Sequence, residues 1–248
     1  MKFTTEDERK FYWEQGYLII EGFLGVSRAS AVNQILRKVA TEDFSIMLHL
    51  DRSDDLLRQS PDSDPDDRAE VSKEIRKIQL NERMVGIVEE LYDREMVVVQ
   101  SIIIYKEAGK PFADQAWNPH QDNSYAQSPN GMYLAVGYPL SDFSPENGGL
   151  YLYPGSHKEG LFAWENVEGA NQKYGESAGN SLAVPDKYKK VDIRLKQGDV
   201  VIFHGDLIHG SYPNNSVQSR PFLIVNYIPY GESFTPGRTS NRRVIRCH

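Results

Sequence analysis

Along the first 94 residues the apolar positions recur at helical spacing, and from residue 95 onward they crowd into short β-branched runs. Thr4 or Thr5, with Asp7 or Glu8 three residues on, starts a short helix that Gly16 is placed to end. Tyr17 to Ile20 forms a short apolar strand. Ser27 is positioned to cap a second helix with the stripe Ala31, Val32, Ile35, Leu36 and Val39. A third helix carries Met84, Ile87, Val88 and Leu91 at i, i+3, i+4 and i+7. Between these, the segment 51–74 is dense in acids and contains Pro61 and Pro65, and it is expected to be an exposed loop.

After residue 95 the pattern changes. Val97-Val98-Val99 and Ile102-Ile103-Ile104-Tyr105 read as a buried strand. Strand candidates follow at 132–138, 149–153, 191–195, 199–204 and 221–228, separated by turns such as Asn147-Gly148-Gly149 and Pro154-Gly155-Ser156. This predicts a mainly β fold with flanking helices (α+β) around a double-stranded β-helix, or jelly roll. One domain is expected over 1–248, with N-terminal helices to about 94, a core at about 95–230 and a tail at 231–248. The segment 158–190 is long and weakly periodic, and with 51–74 it is a candidate lid.

Composition narrows the picture. With 40% apolar residues over 248 positions, the chain can build a large core. A net charge of −7 argues against a general nucleic-acid binder. Much of that charge is local, since 51–74 holds nine acids against four bases. Cys247 is the one cysteine, which excludes an internal disulfide and a thiolate metal cluster. Neither a signal-peptide pattern at the first residues nor an apolar run of membrane-spanning length is present, so a soluble cytoplasmic protein with no membrane partner is expected.

The chemistry is carried by His120-Gln121-Asp122. In an extended segment, side chains at i and i+2 share a side, so one ion can take both. An imidazole and a carboxylate suit Fe(II), and a second histidine completes a set that leaves coordination positions open. His209, at the end of the apolar run 200–208, is the best candidate. Ser211 follows two residues later, and Arg220 opens the apolar strand 221–225. A buried arginine there is costly without an anionic partner, and the distal carboxylate of 2-oxoglutarate would supply one. His204 is expected to be structural, because alternation turns it away from His209. His157, His49 and His248 are expected to lie outside the metal set. Trp117 and Tyr125 flank the motif as pocket walls or packing. Arg238, Arg242, Arg243 and Arg246 could reach an anionic substrate, but an exposed basic tail is the preferred reading.

Taken in order, His120-x-Asp122, Glu146-Asn147-Gly148-Gly149, Pro154-Gly155-Ser156-His157, Gly198-Asp199, His209-Gly210-Ser211, Asn214-x-Ser216 and Arg220 resemble the phytanoyl-CoA dioxygenase family. The opening Phe11-Tyr12-Trp13-Glu14-Gln15-Gly16-Tyr17 is similar too, so the resemblance runs from about Phe11 to Tyr227. It implies an Fe(II)- and 2-oxoglutarate-dependent dioxygenase that hydroxylates an unactivated C–H bond of a small molecule with O2, releasing succinate and CO2. His120, Asp122 and His209 would bind the iron, and Arg220 with Ser211 the 2-oxoglutarate. Gln100 and Lys106 would face the pocket, with Trp117 and Tyr125 beside the substrate. Asp122 favours hydroxylation over halogenation, because related halogenases carry Gly or Ala there. Two other readings stay open at this stage. One is a jelly-roll protein that binds a small ligand without turnover, and the other is a cupin-type metalloenzyme that does not use 2-oxoglutarate.

Overall fold

The computed structural model describes residues 2–41, 48–50, 53–168, 177–237 and 242–248. In chain order its elements are α1 (Glu6–Gln15), β1 (Tyr17–Ile20), α2 (Val26–Arg37), β2 (Leu48–His49), α3 (Ser53–Gln59), α4 (Pro65–Gln79), α5 (Glu82–Tyr92), β3 (Met96–Lys106) and β4 (Trp117–His120). Then come α6 (Asn123–Ala126), β5 (Leu134–Pro139), β6 (Leu150–Leu152), β7 (Glu165–Glu168), β8 (Ser177–Ser181), β9 (Val191–Asp192), β10 (Val200–His204), β11 (His209–Ser211), β12 (Arg220–Pro229) and β13 (Ile245–Arg246).

Local chemistry explains most of the helix ends. Thr5 caps α1 in a reciprocal capping box with Glu8, and Gly16 ends it at φ 86°. The second helix starts earlier than expected: Gly25, not Ser27, is its N-cap, and no side chain caps it. The acidic segment departs further from expectation. Instead of a loop it holds α3 and α4, with Asp64 capping α4 and Pro65 at its first turn. Val71, Ile75 and Ile78 form a buried stripe along α4. This segment is therefore part of the helical layer rather than a loop, with residues 51 and 52 outside the described set.

Two antiparallel sheets make the core. The larger has seven strands in the order β1-β10-β5-β12-β3-β13, with β2 also paired to β3, and the smaller runs β4-β11-β6-β9. The helices pack on the outer face of the large sheet around Tyr12, Leu36, Ile75 and Val88. The space between the sheets is filled by Ile102, Phe203, Phe222, Ile224 and Leu152. This is the mainly β architecture with flanking helices that the strand pattern predicted. Alternation along β3 and β12 places Lys106 and Arg220, which are register partners, on the same inward side as Ile104 and Phe222. Near the other end, Gln100 pairs with Asn226 and Val98 with Tyr227, so Val99 is an extra residue in a β-bulge. The segment 158–190 contains the hairpin β7–β8, with residues 169–176 outside the described set. Among the described residues no helix is long and apolar enough to cross a membrane.

Candidate metal centre

His120 and His209 are register partners across β4 and β11, with ring centroids 4.3 Å apart. Each Nε2 lies 3.6 Å from Asp122 Oδ1, and one ligand atom from each of the three residues lies within 4.8 Å of the others. The expected convergence is present, but not through an extended i, i+2 pair. β4 ends at His120, and Asp122 has φ −59° and ψ −33° at the start of α6. Asp122 holds an N-cap position yet makes no capping bond, so its carboxylate stays turned to the imidazoles.

The tautomers follow from the neighbours. His120 Nδ1 is 2.7 Å from the Asn118 carbonyl and His209 Nδ1 is 2.9 Å from the Leu207 carbonyl. A carbonyl only accepts, so both Nδ1 atoms carry the proton, and in the neutral ring each Nε2 presents a lone pair. Burial, with the charge of His120 second, lowers the pKa of His209 to about 4, so it is neutral at physiological pH. Burial alone would raise Asp122, but His209, His120 and Arg242 outweigh it and hold its carboxyl below the usual range. Two lone pairs aimed at one carboxylate repel unless a cation lies between them, so this donor set fits Fe(II).

Residues next to the ligands lock the motif in place. Gln121 Nε2 donates to the carbonyls of Gly160 (2.8 Å) and Asp206 (2.7 Å), while its Oε1 accepts from Phe162 N (2.8 Å). Asn123 Nδ2 donates to Asp206 Oδ1 (2.9 Å). Ser156, in the Pro-Gly-Ser-His turn, accepts at 2.9 Å from Ile208 N, the residue before His209. His157 sits in that turn with Nε2 3.1 Å from the Trp13 carbonyl, and His204 stacks among Tyr92, Trp13 and Tyr12. Neither is a ligand. His49 lies beside Gln100 and His248 beside Glu89, and neither belongs to the converging set.

One end of the barrel interior is cationic. Arg220 is 2% exposed and packs against Phe143 and Phe222. Its Nε has no hydrogen-bond partner, and among the described residues no carboxylate pairs with it. Burial lowers its pKa to about 9, which still leaves it charged at neutral pH. Lys106 is buried beside it, donating to Ser211 Oγ (2.9 Å) and the Tyr212 carbonyl, with Trp117 5.2 Å away. Burial first, and the charge of Arg220 second, push the Lys106 ammonium well below its usual range. A desolvated guanidinium with no acid beside it among the described residues, and with a buried lysine joined to the metal strand through Ser211, forms a receptor for an anion. The Asn-Gly-Gly turn makes room for it: a Cβ on Gly148 would lie 2.6 Å from Lys106 Cδ.

The other flanking residues divide. Trp117 backs Lys106, whereas Tyr125 faces the metal, its ring 6.2 Å from that of His120. The β7–β8 hairpin docks here through Asn180, whose backbone N–H bonds the Tyr125 hydroxyl and whose side chain bonds Ser124 Oγ at 2.8 Å. Gln100 lies toward the opposite end, 5% exposed. The exposed-tail expectation holds for Arg243 and Arg246 but fails for Arg242. Arg242 is buried and bonded to Gln100 and to the backbone of Tyr125, because β13 and the backbone of Arg243 dock on β3. No periodicity marked it; its burial is a long-range tail contact. Arg238 lies outside the described residues.

Comparison with known proteins agrees with this geometry. The family model for phytanoyl-CoA dioxygenase matches residues 12–222. A phytanoyl-CoA dioxygenase of Arabidopsis thaliana is 37% identical over 131 residues, covering 51% of this chain and 42% of that protein. Phytanoyl-CoA dioxygenase 1 of Oryza sativa subsp. japonica is 25% identical over 260 residues, covering 90% and 89%. Among solved structures, the epimerase SnoN from nogalamycin biosynthesis, in complex with Fe3+, alpha ketoglutarate and nogalamycin RO, superposes with a TM-score of 0.70. It is 20% identical and covers 93% of this chain and 86% of that one, a likeness of fold.

Proposed function

The chain belongs to the phytanoyl-CoA dioxygenase family, and from that premise we propose that it is an Fe(II)- and 2-oxoglutarate-dependent dioxygenase hydroxylating an unactivated C–H bond of a small metabolite. The observation that carries this reading is Arg220. A buried guanidinium with an unpartnered Nε and no acid beside it, on the wall next to a two-histidine, one-carboxylate set, calls for a bound carboxylate. A cupin-type metalloenzyme without 2-oxoglutarate gives that charge no partner, and a non-catalytic binding protein has no use for the triad.

His120, Asp122 and His209 hold the iron through Nε2, a carboxylate oxygen and Nε2. When bound, iron and 2-oxoglutarate supply the oxidising chemistry that consumes O2 and releases succinate and CO2. Arg220 takes the distal carboxylate of 2-oxoglutarate in its planar fork, and Ser211 donates its hydroxyl proton to the same group while accepting from Lys106. Lys106 is proposed to belong to this cosubstrate end. The Asn118 and Leu207 carbonyls keep each ligand nitrogen free of its proton. Phe203, 4.8 Å from the His209 ring, keeps that side of the centre dry. Gln100 and Tyr125 form the substrate side, and the described strands β7 and β8, docked through Asn180, cover it. Equal proteolysis of those strands with and without ligands would contradict such a cover.

The test is succinate release by the iron-loaded protein in air across a panel of small metabolites. Succinate is expected to form with consumption of 2-oxoglutarate and to be lost in His209→Ala. No succinate from any candidate, with no 2-oxoglutarate consumed, would refute the assignment.

A further inference from the structure

We propose that Arg242 is the substrate's anion anchor, so that the metabolite oxidised here carries a carboxylate held at the end of the barrel opposite Arg220. This rests on the reading above and names its substrate class.

The backbone brings Arg242 inward. β13 pairs with Val97 and Val98, and the Arg243 N–H bonds the carbonyl of Val99, the extra residue of the β3 bulge, at 3.3 Å. The Arg242 N–H bonds the Pro236 carbonyl at 2.7 Å. Its side chain is therefore carried under the tail rather than out to solvent, and the residue is 8% exposed.

Inside, the guanidinium is only partly satisfied. Nε donates to Gln100 Oε1 at 2.8 Å, and Nη1 reaches the carbonyls of Thr235 (3.2 Å) and Tyr125 (3.4 Å). Those acceptors are all neutral, and among the described residues no carboxylate pairs with Arg242 and nothing accepts from Nη2. Its titratable neighbours include His49, which lies 3.5 Å from the Gln100 amide nitrogen; burial, with the Arg242 charge second, lowers its pKa to about 4, so it offers no negative charge. Nη2 is thus the edge left open to an incoming ligand, and a carboxylate there would give the guanidinium its anionic partner.

The position suits a substrate. Arg242 bonds the backbone of Tyr125, whose ring centroid lies 6.2 Å from that of His120. Gln100 and Lys106 are six residues apart on β3, roughly 20 Å at a strand's rise per residue. The two cationic ends are thus far enough apart to hold 2-oxoglutarate and a second acid separately. A single guanidinium without a neighbouring lysine matches a monoanionic carboxylate better than a phosphate dianion.

Ligand-observed saturation-transfer NMR on the full chain tests this, using benzoate, phenylacetate and L-proline against benzamide, phenylacetamide and L-prolinamide. The carboxylates should bind wild type and Arg220→Gln about 10- to 100-fold more tightly than the amides. That preference should collapse in Arg242→Gln and persist in part in Arg242→Lys. Gln100→Glu, which neutralises Arg242 without removing it, should collapse it too and covers the case in which Arg242→Gln fails to fold. Equal binding of acids and amides to wild type would overturn the proposal, as would a preference that survives in Arg242→Gln and Gln100→Glu. A preference lost only in Arg220→Gln would place the acid in the cosubstrate site and overturn it as well. Failure of the dioxygenase reading shows separately, as absence of 2-oxoglutarate consumption by wild type.

Discussion

Replacing Gly148 by alanine perturbs the cosubstrate end without touching a metal ligand. Gly148 has φ +89°, and an added Cβ would meet Lys106 Cδ at 2.6 Å, the Tyr212 carbonyl oxygen at 3.2 Å and Asn214 N at 3.3 Å. The last two are backbone atoms, so the lysine stem must give way. Gly109 supplies the control, since at φ +75° an added Cβ meets nothing within 4 Å. Both alanines carry left-handed strain, about 1–2 kcal/mol each. Only Gly148→Ala displaces Lys106 from Ser211 and Tyr212. A charge-assisted hydrogen bond is worth about 1.5–3 kcal/mol, so 2-oxoglutarate affinity should fall roughly 10- to 100-fold in that variant alone. Urea unfolding measures the shared strain, and anaerobic calorimetric titration of the iron-loaded proteins with 2-oxoglutarate measures the difference. If Gly148→Ala binds 2-oxoglutarate as tightly as Gly109→Ala, Lys106 has no part in holding it.

Two further outcomes follow from the same geometry. Burial leaves His49 and His209 with pKa values of about 4 and His204 with about 3, all below the 6.5 of the unfolded chain, so the unfolded state binds more protons as pH falls. The metal-free protein should therefore keep full stability above about pH 6.5 and lose it as pH drops toward 4, roughly 3 kcal/mol from His49 alone. Urea midpoints at successive pH values check this, and a flat profile from pH 7 to 4.5 would contradict it. Gln121→Leu removes three hydrogen bonds that anchor the residue between His120 and Asp122, so iron affinity should fall about 10- to 100-fold. Competition with a chelator measures it, and unchanged affinity would mean that the ligands need no such anchor.

Strands β1, β3, β5, β6, β9, β10 and β12, three of the helices and the metal set were legible because each rests on a local pattern, whereas the short strands β2, β4, β7, β8, β11 and β13 carry no such pattern and were not expected. The acidic segment was misjudged because charge density and two prolines masked the stripe Val71, Ile75, Ile78, although Asp64-Pro65 is itself a helix start. Asp122 reaches the histidines through a turn that no spacing rule reports. Arg242 was illegible for a different reason. Four arginines near one another look like a solvated tail, and only the docking of Arg243 and β13 on β3 sorts the buried one from Arg243 and Arg246.

The most direct measurement is 2-oxoglutarate affinity of the iron-loaded protein without oxygen, in wild type and Arg220→Ala. A metal-dependent site in wild type that weakens at least about 100-fold in the variant is the expected result, since truncating one partner of a buried charge pair costs about 3–5 kcal/mol. Equal affinity in the two proteins would mean that the buried guanidinium serves some other anion, and the cosubstrate assignment would fall with it.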